Sequence, residues 1–201
     1  RLVGPGQAQD QQEAEGRRAV VSSAGLFWTG HALCDVGVAG LLAFAEKQRP
    51  EDLTLEDLDG ASAWMEKQYY SGLLDTYLRC VFPNAPFVNK VGPQKDAEFR
   101  AQYLRGHRAT PHPDVLGARC AFSGLTATSA MVRTHLPMFS GVGVMNYRPS
   151  GTTSVPVAGI FVVAIMFAPM ASRRSHGSLL CVHADDQIIT RAFARRYLAD
   201  N

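Results

Sequence analysis

The chain has 201 residues, 46% of them hydrophobic and 19% charged, which is enough to bury a core and excludes a disordered polymer. Twenty Lys and Arg against 18 Asp and Glu leave a formal charge of +2, so a domain that coats nucleic acid by net charge alone is excluded and any such contact needs a local patch. The four cysteines (Cys34, Cys80, Cys120, Cys181) lie too far apart for a disulfide framework or a local metal clamp, and a reducing, cytoplasmic setting is the expectation.

In chain order, residues 1–25 are rich in Gln, Glu, Gly and Arg without apolar periodicity and read as a flexible leader, with one domain over 26–201. No secretion signal is read, and a start at Arg1 suggests a fragment. Val36, Val38, Leu41, Leu42 and Ala45 recur at helical spacing and predict a helix over 35–48, capped by Asp35 and stopped by Pro50. Thr54 with Asp57 resembles a capping box opening a second helix to about Tyr70. A third helix is expected over 72–81, ended by Pro83, and then a fixed turn over 83–90 with two prolines and two asparagines.

A short surface helix over 94–104 leads to a loop over 105–117. From Arg119 the pattern changes to β-like runs at 120–126, 131–138 and 142–147. The longest apolar run, Val155–Met170, has sixteen residues, below the roughly 20 needed to span a bilayer, and reads as buried core. A core strand over 178–183 and a closing helix over 186–198 complete an α+β fold: a helix-rich N-terminal half, then a mixed β/α half.

Charge is uneven along this map. Between Ala45 and Asp75 eight acids stand against three bases, whereas between Phe87 and His135 seven bases stand against three acids. The basic excess coincides with loops, where a phosphate backbone could be approached, although a few surplus arginines also suit ordinary solvated surface.

Four segments carry chemistry worth weighing. Phe27 to Gly37 strings aromatics, Gly30 and Asp35 ahead of an apolar helix; Trp28 buries a ring, Gly30 permits a turn, and Cys34 suits a small buried hydrophobe. Cys120-Ala121-Phe122-Ser123-Gly124 has the outline of a zinc-knuckle turn with Ser123 in place of the second thiolate, a poor ligand, so the knuckle is degenerate and no metal or other cofactor is expected. His135 before Pro137, with Asn146 downstream, is loosely like a ββα-metal nuclease, or else a structural histidine at a turn. Asn146-Tyr147-Arg148 beside Pro149 and Gly151 offers an amide, an aromatic and a guanidinium, chemistry suited to reading and stacking on nucleic acid.

Taken in order, Phe27 to Gly37, Val81 to Phe87, Cys120 to Gly124, His135 to Met138 with Gly141 to Tyr147, and Leu180 to Asp186 resemble the large subunit of type I CRISPR surveillance complexes (Cascade). The branch resembled is the Tneap-subtype of the Cas-eight large subunits of I-A and I-B systems, and the likeness spans about residues 27–190. In that family a second cysteine pair completes the knuckle; here Ala158 and Phe161 stand in its place, so apolar packing takes over the clasp. The resemblance implies the N-terminal portion of such a subunit, its helical C-terminal part absent, with no catalysis of its own.

That role is to hold the 5′ handle of the guide RNA and inspect the PAM of invading double-stranded DNA, with other Cascade subunits and a recruited helicase-nuclease as partners and no membrane. Within it, Asn84, Phe87, Asn89 and Lys90 in the first turn and Asn146, Tyr147 and Arg148 in the second are the residues expected to read nucleic acid. Arg105, Arg108, Arg119 and Arg133 are expected on its backbone. Two other readings stay open: a metal-dependent nuclease centred on His135 and Asn146, and a protein-interaction domain without nucleic acid.

Overall fold

In the computed structural model, which describes residues 23–70, 82, 97–132, 134–136, 154–175 and 178–200, the most apolar stretch of the chain becomes its centre. Among the described residues the main elements are helices α1 (Ala32–Phe44), α2 (Leu55–Tyr70), α3 (Gly159–Phe167) and α4 (Gln187–Asp200). Three-residue strands pair antiparallel, β1 (Ser129–Met131) with β2 (Val155–Val157) and β3 (Arg173–Ser175) with β4 (Ser178–Leu180), so the fold is mixed α+β. No helix among the described residues is long and apolar enough to cross a membrane.

Because α3 is apolar all round it has no face to offer water, and every residue of it except Ile160 is buried. α1 reaches it through glycines: a Cβ on Gly37 would stand 1.8 Å from the Ala164 carbonyl oxygen, and one on Gly40 would stand 2.7 Å from Phe167 and Ala171. α2 closes the other side, with Trp64 stacked on Phe167 at 5.6 Å and the Tyr69 hydroxyl donating to the Met166 carbonyl at 2.5 Å. Gly106 and Gly159 meet backbone to backbone at the start of α3. α4 lies on α1, burying Thr190, Ala194 and Tyr197 at helical spacing.

The helix ends differ instructively from expectation. α1 begins three residues before Asp35 and stops at Phe44; its end is made by Glu46 at φ 56°, with the Lys47 N–H donating to the Leu42 carbonyl, while Pro50 opens a separate 3₁₀ turn. α2 starts as expected: Asp57 accepts from the Thr54 N–H and hydroxyl, and Thr54 Oγ1 accepts from the Asp57 N–H at 3.1 Å. At the expected boundary between leader and domain, Ser23 bridges Thr54 and the Ala24 N–H donates to the Leu53 carbonyl at 2.7 Å, and Leu26, the first residue of the expected domain, is fully buried.

Other differences fall in the second half. The described part of the expected surface helix, 97–104, is helical and ends in a π-helical turn over 100–104; Glu98, Ala101 and Gln102 are exposed, while Phe99, Tyr103 and Leu104 form a face buried in the core. The 120–126 run is a turn within an Arg119–Thr126 bridge, not a strand. The expected core strand at 178–183 is a surface hairpin edge over Ser178–Leu180, Leu180 being 51% exposed. The expected helix over 72–81, the turn over 83–90 and the run at 142–147 lie outside the described residues; Phe82, between the first two, is buried.

Candidate functional site

The most elaborate polar construction joins the two ends of the described chain at the start of α1. Asp35 sits in the first turn of that helix and is only 4% exposed, so its carboxylate needs partners. It reaches back rather than capping forward: Oδ1 accepts from the Thr29 N–H at 2.8 Å and the Thr29 hydroxyl at 2.9 Å, and Oδ2 accepts from the Gly30 N–H at 3.0 Å. His183 Nε2 lies 3.3 Å from the same Oδ2. Gly30 holds φ 77°, a left-handed conformation that folds its N–H onto the carboxylate.

Around this pair Trp28, Asp185, Gln187 and Thr190 line a small pocket of about 220 Å³. The Thr190 hydroxyl accepts from the Ala184 N–H at 3.0 Å, and Asp186 accepts from the Ile188 N–H at 2.8 Å as the cap of α4. Beside it His31 packs its ring on Phe122 at 4.7 Å, and burial lowers its pKa below the ordinary histidine value despite the opposing charge of Asp35. Cys34 is fully buried, and burial, then Cys120 and Asp35, push its thiol far above the ordinary value, so it stays a thiol.

A second construction neutralises the basic segment. Arg100 Nη1 lies 2.5 Å from Glu66, with its guanidinium 3.8 Å over the Tyr70 ring, and Arg105 Nη2 lies 3.0 Å from the other oxygen of Glu66. Arg108 pairs with Asp59 at 2.7 Å, and the wholly buried His107 ring meets the same carboxylate at 2.7 Å. The Arg108 guanidinium, with His107 assisting, holds the Asp59 carboxyl down to about 2. Partial burial works against Glu66, yet its two arginines still lower it below the usual carboxylate range.

Of the residues expected to touch nucleic acid, Arg105 and Arg108 therefore face α2 carboxylates, and Arg119 donates to the Gly124 carbonyl at 3.4 Å across its own turn. Asn84, Phe87, Asn89, Lys90, Arg133, Asn146, Tyr147 and Arg148 lie outside the described residues. His135 is packed between aromatics, 4.2 Å from Tyr103 and 6.2 Å from Phe99, and burial lowers it to about 4. Among the described residues no three His, Cys, Asp or Glu side chains gather as a metal site. Glu66 and Asp59 are legible in the sequence only as acidic surplus, seven residues apart on one helix; nothing in it points to His183 as the partner of Asp35.

Comparison of the chain with protein-family models, curated proteins and solved structures finds no match in any of the three.

Proposed function

We propose that this chain is the N-terminal part of the large subunit of a type I CRISPR surveillance complex, of the Tneap-subtype branch found in I-A and I-B systems. In this reading it is a non-catalytic, cytoplasmic ribonucleoprotein component that binds the guide RNA 5′ handle and inspects the PAM of double-stranded DNA. Its partners are the other Cascade subunits and a recruited helicase-nuclease.

The observation that carries the reading is convergence. Three of the five ordered segments that resemble the family, far apart in sequence, meet at one corner: Thr29, Gly30 and Asp35 with His183, and His31 with Phe122. Scattered chance likenesses have no reason to be spatial neighbours. The degenerate knuckle fits the same account. The Ala121 N–H donates to the Pro156 carbonyl at 2.9 Å, so the Cys120–Gly124 turn lies beside the strand leading to Ala158, and Phe161 there packs edge-on against Phe27 at 5.3 Å. In this reading apolar packing does the work of the metal clasp, in a helix-rich N-terminal half joined to a mixed second half.

With Arg105 and Arg108 engaged by α2, the contacts to nucleic acid fall to Asn84, Phe87, Asn89, Lys90, Arg133, Asn146, Tyr147 and Arg148, and to Arg119, whose bond to Gly124 is long. The nuclease alternative is disfavoured by the burial of His135 between Tyr103 and Phe99, which keeps its ring from a hydrated cation, and by the lowered pKa that follows from that burial, which makes it a weak base for activating water. The test is affinity purification of the protein from its host with sequencing of co-purifying RNA and identification of associated proteins. Short RNAs sharing one constant 5′ segment, together with repeated backbone subunits, are the expected result; protein free of both refutes the proposal.

A further inference from the structure

The pocket beside Asp35 and His183 is divided in its hydrogen bonding. Its inner groups are spent: both oxygens of Asp35 are filled, and the Thr190 hydroxyl accepts from the Ala184 N–H and donates to the Ala184 carbonyl at 3.3 Å. Its outer groups are not. Asp185 and Gln187 line the same space of about 220 Å³, both are exposed, and neither side chain has a hydrogen-bond or ion-pair partner among the described residues. Because the Asp35 carboxylate can only accept, His183 carries its proton on Nε2, and Nδ1 of the neutral ring is left as an acceptor, also without a partner there. Half-buried Trp28 supplies an aromatic wall.

These free groups decide what fills the space. Acceptors predominate: the carboxylate of Asp185, the side-chain carbonyl of Gln187 and Nδ1 of His183 stand against the amide N–H₂ of Gln187. A matching ligand brings adjacent N–H donors with an acceptor beside them, on a flat body that lies against an indole. The volume is below the roughly 300–1,000 Å³ of pockets that enclose drug-sized molecules, so one ring system enters and any sugar stays outside. Phosphate is unwelcome inside, because the lining holds no Lys or Arg and Asp185 is followed by Asp186, the cap of α4.

We propose that this pocket binds a single guanine base, its N1–H and N2–H donating together to Asp185, its O6 accepting from the Gln187 amide and its face against Trp28. Adenine and cytosine each set a ring-nitrogen acceptor beside their one exocyclic donor, and uracil flanks its N–H with two carbonyls, so each turns an acceptor toward the carboxylate. A guanine within RNA and a free guanine nucleotide present the same edge. The inference does not rest on the surveillance-complex reading: a chain that carries no RNA from its host yet binds guanosine keeps it, and a chain that carries RNA but ignores guanosine loses it.

The test is a saturation-transfer NMR titration of the full chain with guanosine, inosine, adenosine and uridine. Guanosine is expected to bind about tenfold or more tightly than adenosine or uridine, with inosine, which lacks the 2-amino group, in between. Asp185→Asn and Gln187→Glu, both surface changes checked by circular dichroism, are each expected to weaken guanosine by about tenfold and to leave the weak adenosine signal unchanged. Equal binding of the four nucleosides, absence of guanosine binding at millimolar concentration, or indifference to Asp185→Asn overturns the proposal. Its two sources are separated by comparing guanosine monophosphate with an oligouridine carrying one guanosine: tighter binding of the oligonucleotide assigns the base to RNA, tighter binding of the monophosphate to a free nucleotide, and binding of neither overturns the site.

Discussion

Replacing Gly37 by alanine sets two physical effects of opposite sign against each other. Helix propensity favours alanine over an interior glycine by about 1 kcal/mol, so α1 taken alone would be stabilised. In the fold, the new Cβ would lie 1.8 Å from the Ala164 carbonyl oxygen, 2.4 Å from its carbon and 3.1 Å from its Cα, all backbone atoms of the buried α3 that cannot rotate away. Reaching ordinary contact requires α1 and α3 to part by roughly 1.5 Å, and a gap of even 1 Å forfeits about half of each dispersion well along the interface. Overpacking typically costs about 1–3 kcal/mol, and a backbone clash belongs at or above the top of that range. The expected net loss is about 2–3 kcal/mol, or roughly 5–10 °C in Tm for a domain of this size.

The control is Gly60→Ala on α2, where the nearest atom to the new Cβ is Phe44 Cε1 at 4.0 Å and propensity acts unopposed. It should gain about 0.5–1 kcal/mol. Urea and thermal unfolding monitored by far-ultraviolet circular dichroism measure both. A Gly37→Ala protein as stable as the parent would show that α1 and α3 do not approach this closely, and the account of the core would fail with it.

Three further outcomes are expected. Asp35→Asn turns an amide N–H₂ toward donors that the carboxylate now receives from Thr29, Gly30 and His183; it should cost about 2 kcal/mol and shift the emission of Trp28, and unchanged emission and stability would contradict the buried network. Tyr69→Phe strips the hydroxyl from the buried Met166 carbonyl and should lower stability by about 1–2 kcal/mol in the same unfolding assay, a neutral result showing that the carbonyl finds another partner. His135 is held near 4 in the folded chain against 6.5 unfolded, so between those values the unfolded state binds the extra proton. Stability is complete above about pH 6.5 and falls as the pH drops toward 4, by at most about 3 kcal/mol; urea midpoints of His135→Phe should lose that part of the slope, and an unaltered slope would place His135 in water.

Local features are the ones legible in the sequence. The capping box at Thr54 and Asp57 appears as read because its hydrogen bonds lie within one turn of chain. Likewise Val155–Met170 is buried because a segment apolar on every side has no alternative in water. The closing helix and the mixed α+β class come from periodicity of the same kind. The misreadings share a cause. Asp35 reads as a forward cap because an apolar helix lies immediately downstream of it, whereas its carboxylate is filled by Thr29, Gly30 and, from the far end of the chain, His183.

The charge map shows the division most clearly. Composition determined that an acidic stretch and a basic stretch exist, and the basic one invites assignment to a phosphate backbone. Only the tertiary structure decided that Arg100, Arg105 and Arg108 turn to Glu66 and Asp59 on α2, because Gly106 lets that segment press against the start of α3 and so brings it within reach of those carboxylates. Periodicity and capping are short-range and survive in one dimension. Which opposite charges meet, and which glycines are indispensable, depends on backbone separations of a few ångströms between residues far apart in the chain.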